Sequence, residues 1–439
     1  MSICEEATAV ERSAMKKIRQ RLYLYLAAGS FFTFLDRANI SFAQLEMGRD
    51  LGLSATAFGF AAGIFFVGYT FLEIPSNILL EKIGTRKWMT PLFFLWGITT
   101  VLTGFTQNDY QLFVLRFMLG VFEAGAFPGM VLMINYWFRS NSMGAATSVL
   151  LLGGGIASAL GAPFAGWMLG LDMMGLPGWR WLFLLEGAVT CVWAVFTLTF
   201  IADGPETAGW LSRAEKEWLA GVLAEDRAAN VGPAHSITVW AAVVQPKILL
   251  FLLGYTLFGF CYWMMLFFMP TLIKAVGQAL DNQVIGWLAF IPNLLGMLVL
   301  LYWGRHADAH NERHWHIVVP LVLAIVGFAC FPAATTPLVA VIAICAVVMG
   351  LNGFQVNFWP AANMLVGRKA VAASTAIINM GAGIGGFVGP YYLGWSKDMT
   401  GSFTFGMVSC VAALFVNLVI MHVFFTRRKA ALSQIKPAK

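Results

Sequence analysis

Asp36 and Arg37 are neighbours in the middle of an apolar run from Leu22 to Gln44, and Arg116 and Glu123 lie seven residues apart inside a second run, Tyr110 to Phe138. A charge at bilayer depth costs about 3 kcal/mol or more unless it faces a wet cavity or another charge, so such groups mark ion or solute pathways. A carboxylate in a poorly hydrated cavity can hold a proton near neutral pH. A guanidinium stays charged and offers a planar fork that matches a carboxylate, which Lys does not reproduce. Asp36 and Glu123 are therefore candidate proton carriers, with Arg37 as the candidate anion site. Seven residues is nearly two helical turns, so Arg116 and Glu123 should share one helix face. Together the two pairs point to a carrier that moves a negatively charged solute with protons.

Asp36 lies about nine residues from the outer end of its span and Glu123 about thirteen from the start of its own. At roughly 1.5 Å per residue the two depths differ by about 6 Å, which puts both acids near mid-membrane. An anion docked on Arg37 would face Asp36, so protonating Asp36 should favour binding, and each event would ease the other. The alternative is an Asp36/Arg116 or Glu123/Arg37 ion pair that merely ties the two spans together.

Composition requires a membrane setting for these residues. Of 439 residues 59% are hydrophobic and 11% charged, against about 25% charged in soluble domains, and the mean hydropathy is +0.74. The net charge of +6 is no nucleic-acid footprint, because the cations sit in short loops between apolar runs. The six cysteines form neither a disulfide ladder nor a thiolate metal site. The first twenty residues have no apolar h-region, so no cleavable signal is expected and the first span should act as its own insertion signal.

Twelve spans are expected, near 22–45, 57–80, 88–106, 110–138, 142–170, 180–202, 247–274, 284–303, 317–333, 337–364, 371–396 and 403–426. The long polar stretch 203–246 separates a six-helix bundle over 1–202 from a second over 247–439, with 203–246 as a cytoplasmic central loop. With both termini inside, 22 Lys/Arg fall on the inner side, Arg368, Lys369, Lys436 and Lys439 among them, and 4 outside; this asymmetry fixes the orientation. The halves also echo each other. Asn77 and Gly304 open related motifs 227 residues apart, and Pro163 recurs as Pro390 at the same offset. The repeat implies two pseudo-symmetric bundles facing across a midplane cavity.

These segments resemble the major facilitator superfamily, and within it the anion:cation symporter branch, with bacterial permeases for tartrate, phthalate and hydroxyphenylacetate the nearest in kind. The resemblance rests on Leu35-Asp36-Arg37-Ala38-Asn39-Ile40, Gly68-Tyr69 leading to Glu73-Ile74-Pro75-Ser76-Asn77, Arg116 through Gly125, Trp179 through Gly187, and Ile378-Asn379. It implies an all-α fold of twelve transmembrane helices, proton coupling at Asp36 and Glu123, and a cavity with Arg37, Tyr69, Arg116 and Asn379. It also implies a gating motif at Asn77, Glu81, Gly84 and Arg86, repeated at Gly304 and Asp308. A bacterial cytoplasmic-membrane protein sufficient as a monomer follows, with no cofactor beyond the coupling proton. After Phe138, relatives carry a Pro and a basic cluster, whereas this chain reads Arg139-Ser140-Asn141-Ser142; a looser inner gate is expected.

The remaining polar groups are weaker candidates. Asn352 and Asn357 could bond a solute or a neighbouring helix. Trp263, Trp287 and Trp359 could line a cavity or face lipid. His306, His310, His314 and His316 have a ligand-like spacing but no Cys beside them, and are read as a solvated cytoplasmic turn that holds no metal. No serine elbow, P-loop or paired acidic motif is present, so no enzyme is expected. Proton symport of an organic carboxylate leads; a proton-independent facilitator, an anion exchanger and a non-translocating sensor remain alternatives.

Overall fold

The computed structural model describes residues 3–230, 245–364 and 371–435. Arg368, Lys369, Lys436 and Lys439 of the inner charge count lie outside them, as does part of the 203–246 stretch. The elements in chain order are α1 Ile3–Asp50, α2 Ala55–Ile83, α3 Thr85–Thr103, α4 Asp109–Glu123, α5 Ala126–Trp137, α6 Ser140–Leu169, α7 Gly178–Phe200 and α8 Arg213–Asn230. They continue as α9 Pro246–Val276, α10 Asn282–His310, α11 His314–Cys330, α12 Pro337–Asn363, α13 Val371–Thr400 and α14 Thr404–Ile435. With α4 and α5 as one rod and α8 set aside, twelve long helices run through the described residues. Nine of the described helical spans are long and apolar enough to cross a membrane, Asp109–Trp137 counting as one. Helices suit this setting because they satisfy every backbone group internally where water is absent.

The rod expected over 110–138 is broken. α4 stops at Glu123 and α5 starts at Ala126, with Gly125 between them. A Cβ on Gly125 would run into the Ser76 hydroxyl and lie 2.7 Å from Leu92 Cδ1, so the helix is interrupted where α2 and α3 press against it. α1 also reaches further than its apolar run, starting at Ile3.

The polar central stretch holds α8. Glu215 at its start accepts from Ser13 (2.7 Å) and Lys17 (2.8 Å) of α1, and its Asp226 accepts from the Ser140 hydroxyl at 2.7 Å and amide at 3.1 Å. Asp226 thus meets the amide that opens α6, where the expected basic cluster is missing.

The chain divides into two compact units. Unit 1 holds Met1–Arg37, Gly68–Ser158 and Arg180–Ala234; unit 2 holds Ala38–Val67, Ala159–Trp179 and His235–Lys439. The boundaries run through α1, α2, α6 and the first turn of α7, and one falls within the central stretch, at 234/235. Close backbone approach holds unit 1 together: a Cβ on Gly187 would meet Gly97 O and Val101 N of α3 at 2.6 Å. Small residues at such crossings are the usual packing device of helices in lipid.

Candidate functional site

In unit 1, α1 delivers Asp36 and Arg37 to different neighbours. Successive helical residues point about 100° apart, so the pair splits. The Arg37 Nε donates to Glu123 Oε1 at 2.6 Å, and Nη2 reaches the same oxygen at 2.6 Å. Asp36 turns to α3 instead, where the Thr100 hydroxyl donates to its Oδ1 at 3.0 Å. Arg37 is 8% exposed, Asp36 1% and Glu123 0%.

Local packing fixes these directions. Leu112, Arg116, Leu119, Gly120 and Glu123 form the buried face of α4, so Arg116 and Glu123 do lie on one stripe. Glu123 is the last residue of α4, its place set by the break at Gly125. A Cβ on Gly68 would strike the Phe117 carbonyl and sit 3.1 Å from Val121 N. That contact brings α2 against α4 and lays the Tyr69 ring 5.1 Å from the Arg37 guanidinium carbon, with Phe34 at 5.8 Å. An aromatic face beside a guanidinium is attractive. Arg116 is 1% exposed and within electrostatic reach of Asp36, Glu123, Arg37 and Glu186.

Three carboxyl groups, Asp36, Glu123 and Glu186, therefore surround two guanidinium groups. With all ionised the cluster carries one excess negative charge, and one proton removes it. Glu123 Oε2 is buried and accepts no hydrogen bond among the described residues, so Glu123 engages Arg37 through one oxygen only. Thr100 and Glu186 had no signal of their own in the sequence as members of this cluster. Threonine is common in apolar helices, and the Glu186 segment contributed only to the family resemblance.

The other expected residues are dispersed. Asn379 is half-buried on α13 in unit 2. Of the loop motif, Glu81 is exposed. Gly84 has φ 102°, where a Cβ would lie 2.6 Å from Asp203 Oδ1, and the Arg86 amide donates to that oxygen at 2.8 Å. Asn77 is half-buried. In the second copy, a Cβ on Gly304 would lie 2.8 Å from Val356, and Asp308 pairs with Arg313, which donates to Asn357 Oδ1 at 2.8 Å. Asn357 thus serves a neighbouring helix, and Asn352 donates to its own helix at Val348 O, 2.8 Å away. Trp263 stacks with Phe267 and meets Phe66 at a tilt in unit 2, whereas Trp287 is exposed.

The turn expected here is short, at 311–313, and the histidines flank it, with His310 exposed and His316 buried. His306 and His310 end α10, and His314 and His316 begin α11. His316 is buried and joins Glu312 to His306 in a chain of two contacts, each 2.7 Å. Among the described residues no group of three His, Cys, Asp or Glu could hold a metal ion.

Residues 26–390 match the family model described as Major Facilitator Superfamily. A protein of Agrobacterium vitis that carries the provisional name of tartrate transporter is 35% identical over 415 residues, covering 94% of this chain and 91% of its own. The quinolone resistance transporter of Acinetobacter baumannii is 31% identical over 428 residues, 96% of each chain. In fold the chain is similar to a bacterial homologue of the human lysosomal transporter Spinster, with a TM-score of 0.76 at 15% identity over 96% of this chain and 99% of that one. It is similar also to the nucleoside transporter NupG, at 0.70 and 15% over 92% and 100%. At such identities the likeness concerns the fold alone.

Proposed function

We propose that this chain, which belongs to the Major Facilitator Superfamily and is a membrane transporter rather than an enzyme, couples uptake of a small organic carboxylate to protons by alternating access. The observation that carries the reading is the buried Arg37–Glu123 contact at 2.6 Å. Arg37 is the cation to which a solute carboxylate would dock, and Glu123 already holds it. An arriving anion must displace Glu123, and a buried carboxylate stripped of its partner costs about 3–5 kcal/mol. A proton on Glu123 removes that cost, because a neutral acid needs no counter-charge. Anion and proton then bind as a pair, each raising the affinity for the other.

This assigns the competition to Glu123 rather than to Asp36, the direct neighbour in sequence. Asp36, held by Thr100 and near Arg116, is the second proton-handling candidate, and Tyr69 gives the docked solute an aromatic wall. Asn379 on α13 stays a candidate solute ligand. The solute class follows the residues and the relatives together: one guanidinium and an aromatic face suit a hydroxy-dicarboxylate such as tartrate, an aromatic acid or a sugar acid. A bacterial cytoplasmic membrane, with both termini inside, agrees with the count of 22 inner against 4 outer Lys/Arg.

The test is uptake into proteoliposomes. A screen of organic acids by thermal shift selects the solute, which is then followed in labelled form with and without an inside-alkaline gradient. Accumulation above equilibrium only with the gradient is expected. Equal uptake in both conditions would mean a facilitator or exchanger.

A further inference from the structure

Within unit 2, the first turns of α2 lie against the last turns of α13 with almost nothing between the backbones. A Cβ on Gly59 or Gly394 would run into the carbonyls of Pro390 and Ala55, and one on Gly63 would lie 2.6 Å from Phe387 O. Phe60 meets the rings of Phe387 and Tyr391 edge-on, with centroids 6.0 and 6.1 Å away. At the open end of this seam stands Asp398. Its carboxylate accepts from Ala55 N at 3.2 Å, Thr56 N at 2.8 Å and the Thr56 hydroxyl at 2.5 Å.

The first amides of a helix lack partners within it, and a negative charge there is favoured. α2 nevertheless brings its own cap, since Ser54 Oγ accepts from Ala57 N at 3.0 Å. Asp398 is therefore not needed to start α2; it ties α2 to a helix more than 340 residues away. Its sequence neighbour Lys397 donates elsewhere, to Gly401 O at 2.6 Å. A second tie lies at the corresponding end of α1, where Asn282 of α10 donates to Glu46 at 2.8 Å. The Lys/Arg count puts both ties on the outer side.

We infer that Asp398 is a latch on the outer side, and that its three hydrogen bonds to the start of α2 must break for the seam between α2 and α13 to part during transport. The inference rests on the carrier reading, because only a protein that opens outward needs the seam to release. Asp398 acts here through the helices, as a positioning residue, and touches no solute.

Maleimide labelling of purified full-length protein in detergent tests this, with a Phe60→Cys reporter in a background freed of native cysteines. Hydrogen bonds to a charged group contribute enough that losing them should open the seam about tenfold more often. Asp398→Ala and Asp398→Asn should therefore label Phe60→Cys about tenfold faster than the parent, and Thr56→Val by a smaller factor. Ala146→Cys, buried in α6 within unit 1, should stay slow throughout. Unchanged labelling at Phe60→Cys in both Asp398 variants would overturn the latch, and so would an equal rise at Ala146→Cys, which reports general loosening. No solute or gradient enters the assay, so its outcome is separate from that of the uptake test.

Discussion

Arg37 can fully satisfy one carboxylate at a time, and Glu123 holds that place through a single oxygen. Replacing Arg37 by Lys keeps the charge and loses the fork, so solute affinity should fall about tenfold or more; unchanged binding by calorimetry would remove Arg37 from the site. Thr100 offers a sharper test, because its hydroxyl is the donor on Asp36. Thr100→Val should slow gradient-driven uptake about tenfold, while Thr100→Ser, which keeps the donor, should stay within about twofold. The charged residues were legible because a lone charge in an apolar run has few inexpensive places to go. Their partners were less so. Adjacency suggested that an anion docked on Arg37 would face Asp36, yet the helical turn sends the two side chains apart, and whether Arg37 pairs with Glu123 depends on tertiary packing.

Elements carry the site through close backbone approach. Gly68 lets α2 touch α4 beneath Tyr69 and Arg37, so Gly68→Val should lower the melting temperature by several degrees and weaken solute binding together. The helix positions were readable from hydropathy, but the break at Gly125 was not. A glycine in an apolar span usually means close packing, as it does here against Ser76 and Leu92, and the sequence does not say that the helix is interrupted beside it. The histidines misled for a related reason: a charged run reads as one long loop, whereas here the turn is only 311–313 and the four histidines lie on the helix ends that flank it. α8 was hidden in the polar stretch, and it brings a pH-dependent tie. Burial pushes the Glu215 carboxyl up, but hydrogen bonds from Lys17, Ser13 and the Ser212 amide outweigh it and hold the group at about 2 against an ordinary 4.5. A depressed folded-state value stabilises above pH 4.5 and is lost as pH falls toward 2. The melting temperature should therefore drop between pH 6 and pH 3 by more in the parent than in Glu215→Gln, measured by scanning fluorimetry.

At the scale of the whole molecule, the sequence supports a twelve-helix transporter through composition, spacing and an internal repeat, and family and fold agree with it. What hydropathy does not contain is the grouping of the helices. The compact units cut α1, α2 and α6 midway; a glycine seam and Asp398 bind the beginning of α2 to α13, more than 300 residues away, and such ties leave no periodic trace. The central claim is that an anion reaches Arg37 only as a proton reaches Glu123. It is tested most directly by adding the tightest-binding organic acid to purified protein in weakly buffered solution and following pH with a dye. The parent should take up about one proton per anion bound, and Glu123→Gln should bind the anion with no such uptake. Anion binding by the parent without any proton uptake would contradict the account.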